Sequence, residues 1–217
     1  KLQCDGYSAY GAFAARREGI ELAACLAHIR REIYEAREQA PQITGFLLRH
    51  IQSLYRIEDR LRRRRAGPAL RQAVREAESR PVFMRMQRVF VAVKARYLPQ
   101  SALGKAISYA LGQWPRMELW LKDGRVEIDN NMVENAIRPT ALGKKNWLFF
   151  GAAGAGQRSA IIYTVIENCR LCGIDPYTYL RDVLTRLPCM TNHQVAELTP
   201  QAWAKARTPK KNLAAAA

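Results

Sequence analysis

The feature that most constrains this chain is the stretch from Leu26 to about Trp120, where apolar residues recur at helical spacing and nowhere alternate as a strand's do. Leu47, Ile51, Leu54 and Leu61 fall three, four and seven residues apart, and Val82, Met86, Val89 and Val93 repeat the pattern. Stripes of this period bury one face of an amphipathic helix. Gly67-Pro68 and the Arg80-Pro81 step punctuate the run, because the residue before proline is pushed out of the helical region. A bundle of three to five helices is expected between residues 26 and 120.

The flanks read differently. Leu2 to Cys4 and Ile20 to Cys25 are short apolar pieces on either side of a helix-like stretch from about Tyr7 to Glu18, a β-α-β opening. After the bundle, Asp123-Gly124 marks a turn, and Arg125 to Ile128 reads as a short strand or as extended chain. A brief helix from about Asn131 should stop near Arg138, because Pro139 follows. Trp147 to Phe150 reads as a buried strand, followed by a glycine-rich turn at 151–156 and a long helix from about Gln157 to Cys172 with Gly173 as its C′ residue. Pro176 opens another helix that ends near Leu187, and residues from Thr208 onward read as a disordered or weakly helical tail.

With 217 residues, 48% of them hydrophobic, the chain can bury a core without staples. Lys and Arg number 35 against 19 Asp and Glu, a formal net charge of +16, which points to a polyanionic partner and first to nucleic acid. The bland alternative is a solvated basic face. Cysteines 4, 25, 169, 172 and 189 form no disulfide framework, which suits a reducing, cytoplasmic setting. Cys169 and Cys172 make a lone CxxC without the second pair a zinc site needs, and read as one face of a helix. No leader-like segment and no apolar run of about 18 residues is present, so neither secretion nor a membrane span is expected.

Several constellations carry two readings. Asp5 lies where a strand runs out, which is where α/β folds gather ligands, and Asp-Gly is also a common turn dipeptide. Asn131, Glu134, Asn135 and Arg138 share one helical face, a polar stripe with a carboxylate at its centre. The other reading is a capping box with Asn131 as N-cap and Glu134 as its N3 partner. Cys25 and His28 are either half a zinc site or a buried thiol beside a hydrogen-bonded imidazole. The glycines at 151 and 156 nearly match a phosphate-binding loop, but Gln157-Arg158 stands where Lys-Ser/Thr is required. A tight turn, or Arg158 and backbone amides gripping a DNA phosphate, fits better. Arg62 to Arg65 and Lys144-Lys145 are the densest basic clusters, and the second adds the aromatic Trp147.

Taken in order, Asp5-Gly-Tyr7-x-x-Tyr10, Cys25-x-x-His28-x-Arg30-Arg31, Asn130-Asn131-x-x-Glu134-Asn135-x-x-Arg138-Pro139 and Gly143-x-Lys145-Asn146-Trp147 resemble the transposase of the insertion sequence 66 family. The segment from Cys169 through Asp175-Pro176 to Leu184 is similar to that family's C-terminal segment. The likeness runs through nearly the whole chain, with the helical middle only loosely matched. It implies an α/β fold: a partial RNase H-like core lacking its first strands, interrupted by a large all-helical insertion and followed by a helical C-terminal segment. The parts it implies are residues 1–25 and 121–172 as core, 26–120 as insertion, 173–207 as the C-terminal segment and 208–217 as tail. Asp5 would be the second and Glu134 the third carboxylate of a DDE site holding two magnesium or manganese ions. The first Asp would lie upstream, and the chain without it would be inactive.

The implied chemistry is cleavage and strand transfer of a phosphodiester. Two hard cations roughly 3.5–4 Å apart can activate the attacking oxygen and stabilise the leaving one, and such ions prefer carboxylate ligands. Asn131, Asn135, Arg138, Lys144, Lys145, Trp147 and Arg158 would position the DNA backbone. Lys144 stands where the family leads one to expect Arg. Implied partners are transposon-end and target DNA, further copies of the chain on that DNA, and accessory proteins of the same element. A non-catalytic basic helical DNA-binding module and a nuclease without strand transfer are the rival classes. From charge alone, the chain should bind duplex DNA without sequence preference, its affinity falling by orders of magnitude between roughly 50 and 200 mM salt; titration of a labelled duplex at several salt concentrations checks this.

Overall fold

A computed structural model describes residues 1–207, and the expected tail at 208–217 lies outside the described residues. The protein is predominantly helical, with one small parallel sheet among the described residues. It divides into two compact units, Lys1–Asn135 and Ala136 onward. No helix among the described residues is long and apolar enough to cross a membrane.

The first unit opens as the sequence suggests. Strand β1 (Leu2–Cys4) runs parallel to β2 (Leu22–Ala24), with Leu2 opposite Leu22 and Cys4 opposite Ala24. Helix α1 (Ser8–Ala15) makes the crossover that parallel strands require. Two strands alone are marginal, and here helix α2 (Leu26–Glu35) and helix α6 (Ala102–Lys122) supply the apolar cover, through the buried Leu26, Ile29 and Ile33 and through Leu103, Ile107 and Trp114. Helices α3 (Pro41–Arg63), α4 (Pro68–Val74) and α5 (Arg80–Lys94) complete the bundle.

On α3 the stripe Leu47, Ile51, Leu54 and Leu61 is buried, as its spacing requires. On α5 the buried face is Phe83, Met86, Phe90 and Val93, while Val82 and Val89 flank it half-buried. The sequence there is apolar on adjacent faces, and Trp114 chooses between them: its ring stacks on Phe83 at 4.0 Å and meets Phe90 edge-on at 5.4 Å.

The expected break at Arg80-Pro81 is absent. Residues 68–94 form a continuous helical run in which Arg75–Ser79 is a π-helical turn, and Arg80 keeps helical angles of φ −56° and ψ −46°. The widened turn lets the run pass a proline that lacks an N–H and crowds the preceding carbonyls. It also holds Arg75, whose side chain is fully buried. Arg75 Nε and Nη2 donate to the two carboxylate oxygens of Glu58 at 2.7 and 2.8 Å, and Nη1 donates to the carbonyls of Trp120 and Asp123 at 2.9 and 3.0 Å. Glu58 also accepts from Arg71 Nη2 at 2.9 Å and Trp120 Nε1 at 3.2 Å. Glu58 occupies the place in the α3 stripe between Leu54 and Leu61, so a charge sits where the periodicity calls for an apolar residue. Burial alone would raise its pKa, but the two guanidiniums outweigh burial and hold it below the ordinary value.

Helix α7 (Asn131–Trp147) does not stop at Arg138 and contains Pro139 within it. Proline there removes one backbone bond, to the carbonyl of Asn135, and the helix bridges that loss. Lys144 and Lys145 in its last turn suit the negative end of the dipole. The expected strand at Trp147–Phe150 does not form, since Trp147 ends the helix, Leu148 is left-handed at φ 59° and Phe149 is 81% exposed. A strand needs a neighbour, and the two-stranded sheet formed by the described residues ends with β2.

In the second unit, helix α8 (Ala153–Leu171) starts earlier than its glycines suggest, so Gly154 and Gly156 lie within its first turn and only Gly151, at φ 77°, makes the bend. Gly173 at φ 68° closes α8 as expected, with Ile174 N donating to Cys169 O. Helix α9 (Pro176–Arg186) is capped by Asp175, which accepts from Thr178 N at 2.8 Å, and α10 (Pro200–Arg207) brings Trp203 against Tyr179.

Because Glu58 is buried with all its bonds to donors of three other positions, removing it strands Arg75. Glu58→Ala should cost about 3–5 kcal/mol and lower the melting temperature by on the order of 10 °C, as read by thermal unfolding.

Candidate active site

Asp5 and Cys25 are the residues directly after the paired carboxyl ends of β1 and β2. Parallel strands end together, so both fall at the rim where such sheets bind ligands. Asp5 also makes the turn that its dipeptide suggests: its Oδ1 accepts from Tyr7 N at 3.0 Å, and Gly6 follows in the left-handed region at φ 89°. That turn occupies one carboxylate oxygen. The Tyr109 hydroxyl of α6 donates to the Asp5 carbonyl, tying the turn to the bundle. Burial first, and then the negative charge of Asp5, push the Tyr109 phenol up to about 12, so the Asp5 carboxylate is felt at this ring.

Cys25 precedes α2 and is buried, and burial raises its thiol pKa, which keeps it a neutral packing group. One turn on, His28 presents Nε2 to Glu134 Oε1 at 3.5 Å, while its Nδ1 is buried without a hydrogen-bond partner. The zinc reading of Cys25 and His28 finds no further ligands, since among the described residues no three His, Cys, Asp or Glu side chains gather as a metal would need.

The capping box at Asn131 and Glu134 does not form. Asp129 caps the start of α7 instead, accepting from Asn131 N and Nδ2, each at 3.1 Å, and the first helical bond runs from Glu134 N to Asn130 O at 3.0 Å. The Glu134 side chain is thereby free of the helix start and faces His28. Asn131, Asn135, Arg138, Lys144, Lys145 and Trp147 are exposed on α7, with Gly143 so close to the Trp147 ring that no Cβ would fit. Arg158 is exposed on α8, with its guanidinium reaching back to Gly154 in the first turn of the helix. Arg62 to Arg65 close α3, where Arg62 pairs with Glu127 and Arg63 with Asp59.

Two residues near the site escaped sequence reading. Tyr109 lies in an apolar helix and carries no motif. Asp129 sits two residues before the polar stripe, and an Asp followed by Asn-Asn is the sequence signal for the cap.

In this mostly helical protein a carboxylate follows one parallel strand end, and a helix-borne glutamate stands 3.5 Å from a histidine on the helix after the other strand. The chain belongs to the IS66 transposase family: residues 1–158 match the family described as "Transposase IS66 family", and residues 164–201 match "IS66 C-terminal element". It is 35% identical over 214 residues to an uncharacterized protein, y4jD, of Sinorhizobium fredii, covering 93% of this chain and 41% of that protein. Two further uncharacterized proteins of the same organism, y4qI and y4hP, are 36% and 33% identical, with 86% and 99% of this chain covered and 35% and 41% of theirs. The chain thus spans about two fifths of the length of the curated relatives it matches. No solved structure matches it.

The turn that carries Asp5 depends on Gly6. Gly6→Ala puts a Cβ into a left-handed position and toward Gln113, and should cost about 1–2 kcal/mol, seen as a melting point lowered by a few degrees.

Proposed function

We propose that this chain carries the second and third carboxylates of a DNA transposase, Asp5 and Glu134, on part of an RNase H-like core that residues 26–120 interrupt as a helical insertion. The observation that carries the proposal is the approach of Glu134 to His28, 3.5 Å apart, in the turn after the strand end that stands beside Asp5. A glutamate serving only as a cap has no reason to face that rim.

The ligand chemistry fits divalent cations. Asp5 and Glu134 offer hard carboxylate oxygens, which magnesium and manganese prefer, and the buried Cys25 is no competitor for them. The described residues do not gather three such ligands, so they do not form a closed cage by themselves. When bound, a pair of such cations supplies the charge that activates an attacking oxygen and stabilises the leaving one. The work of this chain's own residues is orientation. Asp5 and Glu134 would hold the ions, and His28 would keep the Glu134 carboxylate at its station. Asn131, Asn135 and Arg138 on the same helix as Glu134, with Lys144, Lys145 and Trp147 further along it and Arg158 on α8, would contact phosphates and stacked bases rather than read sequence. The +16 charge suits that partner. Copies of the chain assembled on transposon ends and target DNA, with accessory proteins of the same element, complete this reading.

In a protein of the relatives' full length carrying this chain, Asp5→Asn or Glu134→Gln should lower magnesium- or manganese-dependent end cleavage by roughly a hundredfold or more, at least the loss typical of outer-shell partners, while DNA affinity holds. The chain by itself should bind DNA and not cut it. Cleavage that survives Glu134→Gln would show the assignment to be wrong, and DNA binding without cleavage by the long form would favour the non-catalytic module.

A further inference from the structure

Residues 123–130 join α6 to α7 without regular structure, and they are gripped from two sides. From the bundle, Arg75 donates to the Asp123 carbonyl at 3.0 Å, and the Glu127 carboxylate is shared by Arg71 at 2.7 Å and Arg62 at 2.9 Å. Gly124 rests so closely on the carbonyl of Pro68, at the start of α4, that no Cβ could stand there. From the sheet, Gln3 Nε2 donates to the Glu127 carbonyl at 2.8 Å and to the Ala24 carbonyl at 3.1 Å, and Leu26 N donates to the Ile128 carbonyl at 3.0 Å. Val126 and Ile128 are buried in the main core. The next residues are Asp129, which caps α7, and Asn130, whose carbonyl accepts from Glu134 N.

We infer that this clasp, with Glu127 between Arg62 and Arg71 as its adjustable part, positions Glu134 against the strand ends, so that the helical bundle is the scaffold of the site and not only an appendage that meets DNA. The inference rests on the reading of Glu134 as a catalytic carboxylate. Glu127 is a positioning residue, because its contacts are with Arg62, Arg71 and Gln3 and it acts through the segment that carries Glu134. The magnitudes separate this role from a purely stabilising one. Glu127 is one-third exposed and Arg62 nearly half, and a pair that open to solvent contributes little to stability. Burial alone would raise its pKa, yet Arg71 and Arg62 hold it down to about 2, so it stays charged and paired across the working range of pH. A displacement of about 1 Å at a site of this kind can cost a hundredfold in rate, so a weak pair can have a large effect when it sets geometry.

The test uses two chemically unrelated changes, Glu127→Gln, which removes the charge, and Gly124→Ala, which lifts the segment off α4. Hydrogen exchange on this chain should quicken about tenfold or more across residues 126–134, with α3 and α5 unchanged. In a protein of the relatives' full length, kcat for cleavage should fall about tenfold or more while the DNA Kd stays the same. Unchanged exchange at 126–134 in both variants, or quickening that spreads over α3 and α5 alike, would overturn the inference. So would a wild-type kcat in Glu127→Gln when Glu134→Gln is inactive, whereas an active Glu134→Gln would count against the catalytic reading itself.

Discussion

One buried carboxylate organises the first unit of this protein. Glu58 accepts from Arg75 through two nitrogens, from Arg71 and from the Trp120 indole, and none of its side chain meets solvent. An unpaired charge at such depth costs several kcal/mol, so these partners have to be delivered to it. Delivering Arg75 goes with the π-helical turn, which lets α4 and α5 run on past Pro81. The last nitrogen of Arg75 then closes the carboxyl end of α6 through the carbonyls of Trp120 and Asp123. Three helices and the exit toward α7 are therefore set by one ion pair.

The sheet depends on this arrangement more than the arrangement depends on the sheet. Two three-residue strands cannot hold themselves. Burial of Ala23 and Ala24 against α2 and α6 keeps them, and Gln3 stitches their edge to the segment after α6. The rim they present is small: Asp5 and Cys25 follow its paired strand ends, and Glu134 approaches His28 one turn on from Cys25. Asp5 is turned by Gly6 and anchored through Tyr109, and Glu134 is released for His28 because Asp129 has taken over the cap. A local turn decides what the Asp5 carboxylate faces, and tertiary packing brings His28 to Glu134.

Much of the architecture was legible in the residues. The α3 stripe, the opening strand-helix-strand, Gly173 as a helix stop and Pro176 as a helix start all follow from local rules. Where local rules failed, a nonlocal partner was missing from the reasoning. Pro81 and Pro139 looked like breaks because a proline removes one bond, while the context that tolerates the loss is not written beside it. Trp147 to Phe150 looked like a strand because four apolar residues in a row fit a strand's core, yet among the described residues they pair with no strand. The glycines after it looked like a loop, although four small residues in six can also open a helix. On α5 the choice between the Val82 and Phe83 faces was left to the rings of Trp114.

By itself, the sequence determined which residues could carry chemistry and which stretches had to be helical, because residue type, period and motif order are properties of the chain alone. It named Asp5, Glu134 and His28 and their family order, yet it left each with two readings. Only the tertiary structure decided between a capping glutamate and one that faces His28, and showed the Cys25 thiol to be buried. It also revealed Glu58, Arg75 and Glu127 as the paired charges that hold the segment before α7. The reason is physical: a carboxylate's role is set by the donors and charges that reach it, and here most of those come from helices far away along the chain.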